Sequence, residues 1–155
     1  MSNRGLAGIL AVAALAFAGT ASAHDGPGKT IKLVEAHKEL KPTFVDTGKP
    51  GPSVGDLVIA RDGVLRENGA PAGTFTQVCT LVELGSNPLT STYECSGSIA
   101  LKDGTITMQG PFVPAQPEGT AAVTGGTGEY RTAHGEIVVR AEADQIVVKL
   151  AVDRR

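Results

Sequence analysis

Two residues whose types and spacing suit proton transfer stand near the start of the chain. Glu35 and His37 are two apart, so a strand would place them on one face with Ile31 and Leu33. If that face is interior, a carboxylate and an imidazole line an apolar cavity. A carboxyl group removed from water keeps its proton to higher pH and serves as acid or base, while the imidazole polarises an oxygen. If the strand frays after Val34, both side chains are solvated and the pair carries no chemistry.

The only two cysteines are Cys79 and Cys95. Asn87 lies midway between them, so a hairpin turning there sets them opposite each other. An even count in an exported chain favours one disulfide. Closing that loop stabilises the fold by roughly 3 kcal/mol in the chain-entropy model. No CxxC motif is present, so the bond reads as structural. Gln77 and Tyr93 share faces with the two cysteines. An interior face would make them hydrogen-bonding groups for a ligand; an exterior face would leave them in water or at a subunit contact. Alternation alone allows both.

Other chemistries find little support. The Gly125-Gly126-Thr127-Gly128 run fails the dinucleotide fingerprint, because Arg131 stands where the last glycine is required. It reads as a turn, with Tyr130 and Arg131 expected at a rim. No G-x-S-x-G elbow points to a serine hydrolase. Leader removal would make His24 an amino-terminal histidine, able to chelate copper with the imidazole of His37 or His134. Nothing in the Gly- and Pro-rich start enforces that geometry, and no other metal-ligand spacing occurs, so no metal is expected.

The elements that must position these residues follow from composition. The chain has 155 residues, which suits one domain. Residues 1–23 read as a secretory leader: Arg4, an apolar run from Leu6 to Phe17, then Ala21-Ser22-Ala23. The run is short for a membrane span and no second long apolar stretch follows, so a secreted protein free of the membrane is expected. The formal charge of −2, with 14 basic against 16 acidic residues, argues against nucleic-acid binding. Residues 24–29 read as a flexible N-terminus and 30–155 as the domain.

Within that domain, strands are expected at Thr30–His37, Val54–Arg61, Thr74–Leu84, Thr90–Leu101, Thr105–Gly110, Gly119–Thr124, Thr132–Ala143 and Gln145–Asp153. Lys38–Ser53 reads as a long loop suited to a lid. Leu65–Ala72 reads as a loop, and Asp144 as the last hairpin turn. About eight strands at regular spacing, with no helix, mean a β-sandwich or a closed barrel.

Several segments carry a family resemblance. Ser53-Val54-Gly55-Asp56-Leu57-Val58 resembles the opening of the second strand in allene oxide cyclases. Met108-Gln109-Gly110-Pro111-Phe112, Val123 to Tyr130 and Ala133-His134-Gly135 resemble that family's late strands. The Gly-Gly-Thr-Gly turn followed by an aromatic is also similar to plant dirigent proteins. The likeness spans roughly Leu33 to Val152. It implies an all-β fold: an eight-stranded antiparallel barrel of the allene oxide cyclase/dirigent (calycin-like) type. It further implies a lumen that admits a small apolar molecule, no cofactor, and a homo-oligomer, commonly a trimer.

The resemblance also assigns residues. Glu35 matches a first-strand Glu of the cyclases, and His37 stands where they carry Asn. Asp62 falls where a second-strand Asn helps hold a water on the epoxide oxygen. Phe112 takes the place of a cavity Tyr, and Phe75 aligns near a cavity Cys. The dirigent Asp-Asp motif is not evident. The expected function is therefore a secreted barrel that binds a small apolar molecule and acts as a cofactor-independent cyclase, isomerase or stereochemical guide. Glu35, His37 and Asp62 would do the polar work, with Phe75, Gln77, Tyr93 and Phe112 shaping the site. A lipocalin-like carrier of a lipid or phenolic, and a barrel filled by its own side chains, are the alternatives.

Overall fold

The computed structural model describes residues 28–36, 42–140 and 145–152. The leader, the His24 terminus, His37 and the Asp144 turn lie outside the described residues. Nine strands follow in order: β1 Lys29–Glu35, β2 Thr43–Val45, β3 Leu57–Arg66, β4 Pro71–Glu83, β5 Thr92–Leu101, β6 Gly104–Phe112, β7 Glu118–Gly126, β8 Ala133–Arg140 and β9 Gln145–Val152. Each pairs antiparallel with its neighbours in the order β1-β9-β8-β7-β6-β5-β4-β3-β2, and β1 also pairs with β3. That last pairing (Leu33 opposite Arg66, Glu35 opposite Val64) joins eight strands into a ring. Closure removes the sheet edges that would otherwise template pairing with other chains. The expected eight-stranded barrel is the observed architecture.

Four local expectations need correction. β3 runs on through Asp62-Gly63 to Arg66, although these two residues read as a turn. Pairing with β1 on one side and β4 on the other holds the segment extended. The 38–53 stretch contains the short strand β2, laid against the start of β3. β6 continues past Gly110 to Phe112; its ladder with β7 stops at Gln109, two residues before Pro111, which has no N–H to give. Tyr130 is not at an open rim: it is only 4% exposed and belongs to the main core. It is the last residue of a 3-10 turn, Gly128–Tyr130, between β7 and β8, and plugs that end of the barrel. Burial and the nearby Asp103 raise its pKa above the ordinary phenol value.

The interior splits into two clusters. The larger contains Ile31, Leu33, Val64, Phe75, Ile99, Ile106, Met108, Val123, Tyr130, Ala133 and Ile137. The smaller gathers Cys79, Leu81, Tyr93 and Cys95, with Val58 and Phe112 against them. Cys79 and Cys95 are cross-strand partners and form the expected disulfide. The hairpin between them turns through a 3-10 turn, Pro88–Thr90, whose Asn87 cap accepts the N–H groups of Leu89 and Thr90.

Candidate functional site

A cavity of about 350 Å³ opens between the two clusters. It accompanies a change in side-chain size along four strands, β3, β5, β6 and β7. Near the plugged end the inward positions are Val64 on β3, Ile99 on β5, Ile106 on β6 and Val123 on β7, all buried. One or two inward positions further along, the same strands carry Ala60, Gly97, Gly110 and Gly119. Ala60, Gly110 and Gly119 line the void, whereas the space beside Gly97 is taken up by Gln77 and Met108. At Gly97 a Cβ would come 2.6 Å from the Thr76 carbonyl oxygen and 3.1 Å from both the Gln77 Cβ and the Met108 methyl. At Gly110 it would come 2.9 Å from the Ala121 Cα. Both positions therefore resist refilling by a larger residue.

The cavity wall is mostly apolar. Val58, Ala60, Phe75, Cys95, Met108 and Phe112 line it, with Glu35 and Gln77 among them. Glu35 ends β1 on the face that carries the buried Ile31 and Leu33. Gln77 sits between the buried Phe75 and Cys79 on the inward face of β4. Its neighbour Thr76 faces out, where its hydroxyl meets that of Ser98 at 3.0 Å. The structure thus resolves the facing of the cysteine strands in favour of the interior.

Asp62 lies beside this wall but does not line the void. It is 2% exposed, and its carboxylate accepts the Gly63 N–H at 2.8 Å. Register ties the three polar residues together. Glu35 is opposite Val64, so Asp62 is its diagonal neighbour on the inner face. Asp62 is opposite Phe75, so Gln77 is the next diagonal neighbour on β4. Diagonal neighbours of this kind are roughly 7–8 Å apart at Cα. Glu35, Asp62 and Gln77 therefore climb obliquely across three strands of an otherwise apolar wall.

Tyr93 is placed elsewhere. It lines a second apolar cavity of about 320 Å³ with Phe44, Val45, Pro52, Leu57, Val58, Leu81 and Pro88, and its hydroxyl donates to the Pro88 carbonyl at 3.3 Å. Val58 lines both cavities, so they meet at the disulfide cluster. Phe44, 70% exposed, stands opposite Val58 and overhangs this second void. Sequence reasoning missed Phe44; a lone aromatic in a Pro- and Gly-rich stretch was its only signal. Among the described residues no group of three His, Cys, Asp or Glu could hold a metal ion. His134 is exposed, with its Nδ1 3.3 Å from the Thr132 carbonyl oxygen.

With this geometry in view, the chain belongs to the family of allene oxide cyclase barrel-like domains, whose family model matches residues 34–151. Among solved structures it is similar to a pyocyanin demethylase, at 29% identity and TM-score 0.63, covering 79% of this chain and 98% of that one. It shares its fold with an exo-specific intermolecular Diels-Alderase at 16% identity and TM-score 0.57, covering 81% and 98% of the two chains. It shares it also with a pterocarpan synthase dirigent protein at 15% identity and TM-score 0.54, covering 79% and 84%. No curated protein matches the chain. The disulfide is compatible with an extracellular protein. Among the described residues no helix is long and apolar enough to cross a membrane.

Proposed function

We propose that the barrel takes a small, largely apolar molecule into its lumen and acts on it without a cofactor, as a cyclase, isomerase or stereochemical guide. The observation that carries this reading is one carboxylate, Glu35, on the wall of an apolar cavity of about 350 Å³. That volume lies in the range of small-molecule sites. An enclosed wall holds a flexible or reactive molecule in one conformation, which removes much of the entropic barrier to ring closure or coupling. Glu35 exchanges a proton with the bound molecule, and Asp62 behind it is a positioning residue. His37, two residues further on in the sequence, would complete the set. Export by the leader places this activity outside the cell.

A second reading is favoured by the 29% identity to a pyocyanin demethylase across 98% of that chain. In it the lumen takes a flat heteroaromatic ring and the chemistry is loss of a methyl group. One assay separates the readings. Purified protein is incubated with pyocyanin, and with a panel of unsaturated epoxides and phenolic radical precursors, and products are followed by mass spectrometry. Turnover of one class assigns the chemistry, and Glu35→Gln should slow it roughly 100-fold or more. Retention of a compound without turnover would establish the carrier alternative and remove the catalytic role of Glu35.

A further inference from the structure

The lumen wall contains one polar group that no neighbour satisfies. The side-chain amide of Gln77 makes no hydrogen bond to any described residue, although the residue is half-buried and faces the void. Its register partners explain why. Ala60 stands opposite on β3 and Gly97 opposite on β5, and neither carries a polar side chain. The inward partner of Gly97 on the next strand is Met108, which is also apolar. A side-chain amide offers two donors and one acceptor, and an amide held against apolar surface gains from any oxygen that reaches it.

We infer that Gln77 reads an oxygen on the bound molecule, so that the ligand class is an apolar frame bearing a neutral carbonyl or hydroxyl. A ligand carbonyl would accept from the amide N–H; a ligand hydroxyl would donate to the amide oxygen. Neutrality follows from the surroundings. Glu35 lines this wall and Asp62 lies buried beside it, so a ligand anion would face the first carboxyl group and the field of the second. The basic residue that lines the cavity, Arg140, is held at 2.9 Å by Glu118. The oxygen binds one pleat beyond Asp62 on the diagonal, which directs the rest of the frame past Phe75 toward Glu35. The inference rests on the reading of the lumen as a ligand site and specifies what that site selects.

The test uses three bicyclic probes of one shape: indane, 1-indanone and 1-indanol. Their dissociation constants are measured by calorimetry on the disulfide-intact wild type and on Gln77→Leu. The ratio of 1-indanone to indane affinity should fall roughly three- to tenfold in the variant, the scale of one lost hydrogen bond. The 1-indanol ratio should fall alongside it, and indane itself should bind both proteins about equally. Gln77→Met serves as the second variant should the leucine protein fold poorly. An unchanged ratio with all probes bound would overturn the role of Gln77 and leave the lumen as a ligand site. Failure of every probe to bind the wild type would overturn both.

Discussion

The plugged and open halves of the barrel are built from the same strands, yet they do opposite things. In the plugged half, Leu33, Val64, Ile99, Ile106 and Ile137 are fully buried and Tyr130 closes the end. In the open half, Ala60, Gly97, Gly110 and Gly119 stand at inward positions where the plugged half has branched aliphatics, and all of them but Gly97 line the cavity. Stability and binding are thus separated by a few residues along each strand. Dense packing below holds the ring of pairings rigid, and that rigidity keeps the void above from collapsing.

The largest effect that would sharpen this contrast comes from truncation in the plugged half. Ile99→Ala should destabilise by about 2–5 kcal/mol, because close-packed surroundings cannot relax into the gap. Phe112→Ala, on the cavity wall, should cost only about 1 kcal/mol. Denaturant unfolding of both variants measures the difference. Equal losses would mean that the open half is packed as tightly as the plugged half, and the contrast would fail.

The disulfide stands across the cavity from the plugged half, in the smaller cluster. Removing it by Cys79→Ser with Cys95→Ser should cost about 3 kcal/mol, since the bond closes a loop with a sequence separation of 16. The same change should also loosen the wall that Val58, Phe112 and the cysteines build between the two cavities. Stability is read by urea unfolding. Ligand affinity, read with the indane probes, should weaken in step. Loss of stability with untouched affinity would show that the bond braces the hairpin and not the lumen.

How much of this contrast was legible in the residues differs between the halves. The plugged half follows from alternation: Phe75, Ile99 and Ile106 lie on faces that β-patterning marks as apolar, and the midpoint at Asn87 sets the register from Cys79–Cys95 through Gly73–Leu101. The open half was harder. Alternation yields two faces for Gln77 and Tyr93 but not which of them is inside; only ring closure through β1 and β3 decides that. Asp62-Gly63 looked like a turn because local preference cannot anticipate partners on both sides. Family likeness, not patterning, singled out Asp62 and Phe112. The separation of Tyr93 from the Glu35 cavity depends on β2 and its loop, which have no periodic signal.

Crowding the wall behind the void is the next smaller perturbation. Gly97→Ala should cost about 1–3 kcal/mol, because the new methyl meets the Thr76 carbonyl oxygen and must push β4 or Met108 aside. It should also weaken probe binding, since the methyl would meet the Gln77 Cβ and the Met108 methyl, and both residues line the cavity. Calorimetry with 1-indanone, beside thermal unfolding, compares the two. A stable protein with undiminished binding would show that Gly97 does not shape the cavity.

The smallest effect concerns the loop over the second cavity, which neither packing nor the ring of pairings holds. Two carboxylates order it: Asp46 accepts the Gly48 and Gly51 N–H groups, and Asp56 ties Thr47 to Ser53. One carboxylate oxygen of Asp56 accepts the Thr47 N–H at 3.0 Å and the Ser53 hydroxyl at 3.1 Å, and the other accepts the Ser53 N–H. These bonds, the Thr47 N–H first and then the Ser53 N–H, hold its pKa below the ordinary carboxylate value. A depressed folded-state pKa means that the carboxylate contributes stability above the unfolded value, near pH 4, and loses it as pH falls through the lower folded value. The loop should therefore loosen only in strong acid, while the barrel beneath keeps its pairings. Amide exchange at Thr47 and Ser53 measures this. Protection should drop at the acid end in the wild type, and should already be low at neutral pH in Asp56→Asn, whose amide nitrogen cannot accept. Protection at both amides that ignores pH and the substitution would show that the Pro-rich loop is held by its own backbone, and the second cavity would then be as rigidly bounded as the first.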